Sequence, residues 1–225
     1  MQGQWRTVCA VVIPCLNEGG TIGGLVHQVS NYLPTVIVVD DGSTDQTVAN
    51  AAAAGATVIS MEAASGKGAA LLAGWRTAAD LGFTWVLNMD GDGQHAPSDI
   101  PAFLENAQPE KPALVIGNRM GNPASMPWVR RKVNRWMSAR LSRRLTVPLP
   151  DSQCGFRLMH LPSLLQSELT VQRFEIESEM ILAAVRRGLP IAFVPIEVIY
   201  RHGRSKINPI TDTIRWFRWF WSAGR

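Results

Sequence analysis

Apolar runs alternate with helix-like stretches along the first half of the chain. The apolar runs lack polar alternation and occupy residues 7–14, 35–41, 56–61, 83–90 and 112–119. Stretches with apolar residues at helical spacing follow them, at residues 18–33, 44–55, 66–82 and 97–107. Strands without polar alternation are typical of a sheet that is covered on both faces. The pattern therefore predicts an α/β fold with a mostly parallel central sheet flanked by helices.

Turn and cap residues give the predicted boundaries of these helices. Thr44 is the candidate N-cap of the helix in 44–55, and Gly55 is its predicted stop. Pro97 occupies the first turn of the helix that begins near it.

Two later segments combine arginine with aromatic residues. Trp128–Leu145 is predicted to be a helix whose cations face water and whose apolar residues pack on the core, with Arg130 as the exception. At the C-terminus, Thr213–Trp221 contains five aromatic residues beside Arg215 and Arg218. Such a segment either packs on the core or lies at a membrane interface, and we favour the interface. We expect one domain at 1–206 and an amphipathic, membrane-interfacial segment at 207–225.

Composition and charge restrict the class of protein. The 225 residues are 46% hydrophobic and 18% charged, which indicates a folded domain. No apolar run approaches the ~18 residues of a spanning helix, and the run before Cys15 is too short for a signal peptide. The three cysteines form no C-x-x-C pair and suit buried thiols in a reducing compartment. A net charge of +4 favours anionic partners such as phosphates or lipid headgroups.

Polar groups follow the predicted strands at the point where each strand ends. They are Pro14 to Glu18, Asp40 and Asp41, Asp90 to Gln94, and Gly117 to Arg119. Ligands of open α/β sheets bind at the carboxyl ends of the strands. Because all four sets fall there, turn chemistry alone does not explain them, and we predict a binding site at this edge.

Asp90 and Asp92 are spaced to present two carboxylates to one hard cation. Mg²⁺ and Mn²⁺ prefer oxygen ligands and share a few carboxylates with substrate phosphates. Such a cation takes up charge that develops on a leaving diphosphate. The chain has no G-x-x-x-x-G-K-[ST] loop and no G-x-G-x-x-G after the first strand, which disfavours a dinucleotide-dependent enzyme. The glycines around Lys67 are interpreted as helix caps, with a backbone anion contact as the weaker alternative.

Six segments in order resemble the successive blocks of family-2 glycosyltransferases. They are VVIPCLNE, IVVDDGSTD, MDGDGQH, GNRM, DSQCGFR and YRHGRSK, between positions 11 and 206. The chain is most similar to the branch of dolichyl- and polyprenyl-phosphate mannose or glucose synthases. This resemblance implies the GT-A fold, which is a Rossmann-like single domain. It also implies a metal-dependent enzyme that uses Mg²⁺ or Mn²⁺ and a nucleotide-sugar donor, GDP-mannose or a UDP-hexose.

The resemblance also implies roles for individual residues. The nucleotide-sugar is expected to contact Pro14, Glu18, Val39, Asp41, Asp90 and Gln94. The metal is expected at Asp90, Asp92 and Gln94, and the catalytic set at Asp92, Arg119, Arg130 and Lys206. The acceptor phosphate is expected at Arg130, Asn134, Arg201 and Lys206. Leu16 replaces an aromatic residue that is frequent in the family's first motif, which removes one expected stacking contact.

The expected reaction is transfer of one sugar, with inversion, to a polyprenyl phosphate at the cytosolic face of a membrane. A phosphate acceptor is already an anion and attacks without a base, whereas a hydroxyl acceptor needs one. For a hydroxyl acceptor the candidate bases are Asp151, Glu175, Glu177 and Glu179. The alternative class is a non-catalytic basic module that binds membranes or nucleic acid. Asp90 and Asp92 argue against it, because a protein that only binds anions gains nothing from them, and we expect no nucleic-acid partner.

Overall fold

The computed structural model describes residues 2–111, 113–121, 126–167, 169, 173–199 and 209–222. The strands are β1 (Cys9–Cys15), β2 (Val36–Asp40), β3 (Thr57–Ser60), β4 (Trp85–Asn88), β5 (Leu114–Asn118), β6 (Arg157–His160) and β7 (Ile191–Pro195). The helices are α1 (Gln2–Val8), α2 (Ile22–Ser30), α3 (Thr47–Ala53), α4 (Lys67–Asp80), α5 (Ile100–Glu105), α6 (Trp128–Leu145), α7 (Leu161–Leu165), α8 (Ile176–Arg186) and α9 (Pro209–Ser222).

The seven strands form one mixed sheet in the order β3-β2-β1-β4-β6-β5-β7. Strands β3, β2, β1 and β4 are parallel neighbours, and β5 is parallel to β7. Strand β6 runs antiparallel to both β4 and β5. The predicted mostly parallel sheet flanked by helices is confirmed. The reversal of β6 has a consequence for the site, because it brings residues 151–156 to the edge at which the parallel strands end.

The close packing of α4 on the sheet depends on Gly74. A Cβ at this position would lie 2.4 Å from Cγ1 of Val12 and 3.0 Å from Cγ2 of Val39, so a larger residue does not fit. The next residue of α4 is Trp75, and its Nε1–H donates to Oδ1 of the buried Asn88 at 2.9 Å. These contacts fix α4 across β1, β2 and β4, with its amino end at the carboxyl edge of the sheet.

Two local boundaries differ from the sequence pattern. The predicted N-cap Thr44 is wrong, because α3 begins at Thr47 and Thr44 N–H instead donates to Oδ1 of Asn17 at 2.8 Å. Gly55 does end the helix, with φ of +91°, as predicted. The pattern does not predict α1, which Trp5 anchors by packing against the Trp85 ring with centroids 5.2 Å apart.

Cys9 and Cys15 are buried and free, as predicted, and Cys154 is buried and free as well. Burial raises the pKa of the Cys154 thiol to about 11, so it stays protonated at neutral pH.

The C-terminal helix α9 is partly core and partly surface. Trp216 and Trp219 are buried, and Trp216 Nε1–H donates to Oγ of Ser178 on α8 at 2.9 Å. Phe217 and Trp221 are exposed. The prediction of an interfacial segment is therefore wrong for the two buried tryptophans, which pack on the domain. Residues 201–208 lie outside the described residues, so the boundary between 206 and 207 stays a prediction.

Helix α6 spans Trp128–Leu145, as predicted, but its packing differs in part. Met137 and Leu141 are buried, whereas Trp128, Val129 and Trp136 are exposed. The interpretation that its apolar residues all pack on the core is wrong for these three. Within the described ranges, none of the helices combines the length and apolarity needed to cross a bilayer.

Candidate active site

A pocket of about 330 Å³ lies where the carboxyl edge of the sheet meets α6, α8 and α9. Its polar lining comes from strand ends and helix starts, and its apolar lining comes mainly from α6 and α9. The polar set includes Lys67, Asp90, Arg119, Arg130, Asn134, Gln153, Glu175 and Glu177. The apolar set includes Val129, Val133, Met137, Phe174 and Trp216. The structure thus brings together Asp90, Arg119, Arg130 and Asn134, four of the residues predicted from the sequence.

Lys67 bridges two carboxylates at the polar end of this pocket. Its Nζ lies 2.5 Å from Oδ1 of Asp90 and 2.7 Å from Oε1 of Glu177. Burial alone would raise the pKa of Asp90, but the neighbouring cationic groups, with the charge and hydrogen bond of Lys67 foremost, together outweigh burial and hold that pKa well below its usual range. Likewise, burial would lower the pKa of Lys67, but the two carboxylates raise it above its usual range. Asp90 and Lys67 are therefore both charged at neutral pH.

Gly155 makes room for this bridge. A Cβ at position 155 would lie 2.8 Å from both carboxylate oxygens of Asp90 and 2.8 Å from Nζ of Lys67. Any residue larger than glycine at position 155, in the segment that precedes β6, would therefore displace the Lys67–Asp90 pair. This contact gives a physical reason for the glycine in DSQCGFR.

Glu177 has one carboxylate oxygen in the bridge and one without a partner. Glu177 is buried in the first turn of α8, and its Oε2 has no hydrogen-bond partner among the described residues. A buried acceptor without a donor costs roughly 1–3 kcal/mol. The sequence analysis missed the pairing of Lys67 with Glu177. The available signal was a lysine at the start of α4 and three acids at the start of α8.

Asp92 adds a further carboxylate beside Asp90. Its Oδ1 accepts from the backbone N–H of Gln94 at 3.0 Å. Burial, together with the charge of Asp90, raises the pKa of Asp92 to about 6. Asp90, Asp92, Glu177 and Lys67, when all ionised, carry two net negative charges. A divalent cation matches this charge, and carboxylate oxygens are the ligands that Mg²⁺ and Mn²⁺ prefer.

Gln94 and His95 follow Asp92 in this loop, and the contacts described for them are with other protein groups. The backbone carbonyl of Gln94 accepts from Ile199 N–H at 2.9 Å, which ties the loop to the segment after β7. His95 stacks on Phe156 with centroids 5.1 Å apart, and burial lowers its pKa to about 4, so it is neutral at physiological pH. In the described part of the chain, no three His, Cys, Asp or Glu residues cluster as metal ligands.

Arg119 is held in place by Asp151. Its Nε donates to Oδ2 of Asp151 at 2.8 Å and its Nη2 donates to Oδ1 at 2.9 Å. Asp151 also accepts from the backbone N–H of Arg119, from Nδ2 of Asn134 and from the backbone N–H of Gln153. Bidentate guanidinium–carboxylate pairs of this kind fix geometry as well as charge.

Asp151 is consequently unsuited to act as the base for a hydroxyl acceptor. It is fully buried and accepts five hydrogen bonds. Burial would raise its pKa, but the charge and hydrogen bonds of Arg119 outweigh burial and hold the pKa low. Of the other candidate bases, Glu175 and Glu177 line the pocket. Glu179 is buried in the same first turn of α8 but does not line the pocket.

The predicted nucleotide residues lie at the ends of β1 and β2. The two carboxylate oxygens of Asp41 accept from the backbone N–H groups of Ser65 at 2.7 Å and of Gly66 at 2.9 Å. Asp41 thereby holds the loop that leads into Lys67. Val39 has no exposed surface, and its side chain packs towards α4. Pro14 and Glu18 are partly exposed at the same edge. Contacts between these residues and a base or ribose stay predictions.

Arg201 and Lys206, which were predicted to bind the acceptor phosphate, lie outside the described residues.

The chain is similar to proteins with known activities. A relative from Methanococcus voltae, UDP-N-acetylglucosamine–dolichyl-phosphate N-acetylglucosaminyltransferase, is 30% identical over 213 residues, which cover 84% of this chain and 85% of that protein. Polyprenol monophosphomannose synthase of Mycolicibacterium smegmatis is 29% identical, with 88% of this chain and 80% of that protein covered.

Solved structures of similar fold include glucosyl-3-phosphoglycerate synthase from Mycobacterium tuberculosis. Its complex with phosphoglyceric acid superposes with a TM-score of 0.76 at 25% identity and covers 99% of this chain and 83% of that one. Its complex with Mn²⁺ and UDP-glucose superposes with a TM-score of 0.74 at 25% identity, covering 96% and 79%.

The model of Glycosyl transferase family 2 matches residues 10–165, which contain β1 to β6 and the Asp90–Asp92 loop. The mixed sheet, the carboxylates at its edge and this match agree with one another, and the GT-A fold expected from the sequence is confirmed. The chain belongs to glycosyltransferase family 2.

Proposed function

We propose that this glycosyltransferase moves a single sugar from a nucleotide-sugar to a polyprenyl phosphate, with a divalent cation at Asp90 and Asp92. One observation carries the proposal: a single pocket joins an acidic end to cationic side chains and to an apolar wall. The acidic end suits a cation with the donor diphosphate. The cationic and apolar parts together suit an acceptor that has a phosphate head and a hydrocarbon tail.

The donor end is assigned from charge. Asp90, Asp92 and Glu177 outnumber Lys67 by two charges, which a divalent cation balances. When bound, Mg²⁺ or Mn²⁺ supplies charge stabilisation for the leaving nucleoside diphosphate. Asp90 and Asp92 would hold it, and substrate oxygens would fill the remaining positions. The neighbour that binds Mn²⁺ and UDP-glucose supports this assignment. We retain GDP-mannose and UDP-hexoses as the donor candidates.

The acceptor end is assigned from Arg130 and the apolar wall. Arg130 lines the pocket on the same helix as Val129, Val133 and Met137, and Trp216 faces them from α9. Arginine stays charged and binds phosphate without giving up a proton. An acceptor phosphate oxygen attacks the anomeric carbon, and the bond to the donor diphosphate breaks on the opposite face, so the sugar is inverted. The M. voltae relative is named for transfer to dolichyl phosphate and the M. smegmatis relative for synthesis of polyprenol monophosphomannose, and both names support this acceptor class.

A hydroxyl acceptor is the second candidate, and one observation favours it. Glu177 is a buried carboxylate in the pocket with one oxygen that lacks a donor, as a general base for an alcohol would require. The neighbour named glucosyl-3-phosphoglycerate synthase, in complex with phosphoglyceric acid, is consistent with a small acceptor of this kind. Against it, the other oxygen of Glu177 is already in an ion pair with the Lys67 ammonium at 2.7 Å, so this carboxylate has a structural role in the bridge.

Polyprenyl phosphates are membrane lipids, so the proposal places the protein at the cytosolic face of a membrane as a peripheral enzyme. The net charge of +4 and the basic helices α6 and α9 support this placement.

The test is an incubation of the purified protein with a panel of nucleotide-sugars, in Mn²⁺, Mg²⁺ or excess chelator, with and without polyprenyl phosphate. We expect one donor to yield a glycolipid that is labile to mild acid, only when the cation is present. Equal product in chelator would overturn the metal assignment. The same incubation with a polyprenol in place of the phosphate tests the second candidate, and product only with this hydroxyl acceptor would select it.

A further inference from the structure

Helix α9 is apolar on two opposite sides. Trp216 and Trp219 form its buried inner side. Ile214, Phe217 and Trp221, spaced at i, i+3 and i+7, form an outer side, and Ile214 and Trp221 are 54% and 68% exposed. A helix of a soluble monomer needs only one apolar side for packing. The outer side therefore indicates that α9 contacts a second apolar environment, in addition to the core of the domain.

Helix α6 continues this outer side. The exposed ring of Trp136 stacks on Phe217 with centroids 5.5 Å apart, and Phe217 in turn contacts Trp221 at 6.4 Å. We call the surface formed by these exposed side chains the outer patch, which consists of Trp136, Ile214, Phe217 and Trp221. Single exposed apolar residues are normal, but a contiguous aromatic patch marks an interaction surface.

Basic residues surround the outer patch. Helix α6 contains seven cations and no acid, at Arg130, Arg131, Lys132, Arg135, Arg140, Arg143 and Arg144. Helix α9 adds Arg215 and Arg218. Arg140 lies over the Trp136 ring at 5.4 Å, which holds a cation directly beside the patch. Aromatic residues interleaved with arginine and lysine are typical of segments that lie in the headgroup region of a bilayer.

The pocket reaches the same surface. Val129 lines the pocket and is also 46% exposed, and Pro127 beside it lines the pocket and is exposed. On the facing helix, Thr213 lines the pocket and is followed by the exposed Ile214 of the outer patch. The pocket therefore opens between the amino-terminal parts of α6 and α9, next to the patch.

We propose that the outer patch and the cations around it form one docking surface for an anionic bilayer, built from α6 and α9 together. In this arrangement the inner side of α9 forms a wall of the pocket and its outer side lies in the membrane. The opening of the pocket then faces the lipid, and a phosphate headgroup enters from the side without leaving the bilayer. This inference rests on the proposed lipid acceptor for its purpose, but the surface itself is defined by exposure and charge.

Charge favours a bilayer over a second copy of this chain. A two-fold dimer would place the same surface of both copies face to face, and would bring the basic residues beside the patch of one copy close to those of the other. Like charges in an interface are costly, whereas the anionic headgroups of a bilayer attract Lys and Arg side chains near its surface.

The test measures binding of the full chain to vesicles of phosphatidylcholine and phosphatidylglycerol that contain no acceptor. We compare wild type with Ile214→Ser/Trp221→Ser, whose side chains are exposed and do not line the pocket. The matched control is Leu81→Ser, an apolar residue that is 55% exposed at the far end of α4. A second comparison tests the charge: Lys132→Glu changes a cation of α6, and Lys111→Glu, at an exposed lysine outside α6 and α9, is its control.

We expect the double variant to lower the vesicle partition constant roughly tenfold or more and Lys132→Glu to lower it several-fold, while both controls match wild type. Equal vesicle binding by wild type and the double variant would overturn the inference, as would no binding by wild type in low salt. A concentration-dependent dimer that the double variant abolishes would assign the patch to a second copy instead.

Transfer assays separate this inference from the proposed function. With a short, water-soluble polyprenyl phosphate analogue, the double variant should retain wild-type turnover, because its substitutions lie outside the pocket. Vesicle binding that depends on the patch, without transfer to any lipid phosphate, would keep the docking surface and reject the proposed function. Transfer to long-chain acceptor in vesicles at wild-type rates by the double variant would reject the surface and keep the function.

Discussion

Lys67 Nζ lies 2.5 Å from Oδ1 of Asp90, so the first aspartate of the DGD sequence is already paired with a cation of the protein. The same ammonium lies 2.7 Å from Glu177, on a helix that follows 110 residues later. This bridge ties the start of α4 to the start of α8 across the floor of the pocket. The bridge also contributes to the net charge at the end of the pocket where the donor and its cation are proposed to bind.

Lys67→Met should destabilise the fold strongly at neutral pH. The substitution leaves the buried Glu177 and the partly buried Asp90 without their cation, and breaking a buried ion pair from one side costs about 3–5 kcal/mol. The pKa of Asp90 is lowered in the folded state, so the stability it contributes is present above the unfolded pKa near 4 and lost as pH falls. Urea unfolding at pH 7.5 and at lower pH should therefore show a difference from wild type that shrinks on acidification.

The exposed Lys111→Met is the control for this comparison, because its ammonium is in water. A Lys67→Met variant as stable as wild type at pH 7.5 would show that the bridge contributes nothing.

Asp92→Asn should stabilise the protein when no divalent cation is present. The folded pKa of Asp92, about 6, is above its unfolded value, so its contribution to the free energy of unfolding falls as pH rises from about 4 to about 6. In chelator at about pH 7.5 the variant should be more stable than wild type by roughly 1 kcal/mol, measured by urea unfolding. The same variant should lose about a hundredfold or more in turnover, because an anionic ligand is gone.

Mn²⁺ with UDP should raise the melting temperature of wild type and leave that of Asp92→Asn nearly unchanged. Asp80→Asn, at an exposed aspartate of α4, should behave as wild type in every arm. Asp92→Asn being less stable than wild type in chelator would contradict the assigned charge balance.

The position of the polar residues could be predicted where it depended on strand ends, whereas their roles stay predictions. An apolar run that ends in acids places those acids at the sheet edge, whatever the order of the strands, and Asp41, Asp90 and Arg119 all lie there. Reasoning from strand ends does not predict the Lys67–Glu177 contact. It depends on the reversed strand β6 and on a glycine at 155, and neither appears as a periodicity in the sequence.

The same limit explains the outcome for α9. Helical spacing identifies the aromatic residues but gives no reason for Trp216 to pack inward and Trp221 outward. Both sides of the helix are apolar, so the choice depends on which tryptophan finds a partner. Ser178 on α8 provides one for Trp216. The N-cap error at Thr44 arose similarly, because Asn17 binds the Thr44 N–H from another loop.

Glu177→Gln separates the two acceptor classes. The amide retains the shape of the side chain but cannot take up a proton, so a general base at this position would make turnover fall by about 10²–10⁴. With a phosphate acceptor we expect turnover within about tenfold of wild type, since Lys67 keeps its contact with Asp90. Steady-state kinetics at saturating donor and acceptor measure this, and a fall of a thousandfold would favour the hydroxyl acceptor.

Arg130→Met should weaken acceptor binding and leave donor binding nearly unchanged. Loss of a charged hydrogen bond to phosphate costs about 1.5–3 kcal/mol, which raises the KM for acceptor roughly tenfold to a hundredfold. The neighbouring Arg131→Met on the same helix does not line the pocket and should retain the wild-type KM for a soluble acceptor. An increase in the KM for donor, with that for acceptor unchanged, would move Arg130 to the diphosphate.

The most direct measurement compares a polyprenyl phosphate with the polyprenol of the same chain length, under one donor and one cation. The two acceptors differ only in the group that attacks the sugar. We predict that kcat/KM for the phosphate exceeds that for the alcohol by at least about a thousandfold. Arg130 binds the anionic phosphate, and the phosphate attacks the sugar without a general base, which the alcohol would need. Equal rates for the two, or product from the alcohol alone, would contradict transfer to a lipid phosphate.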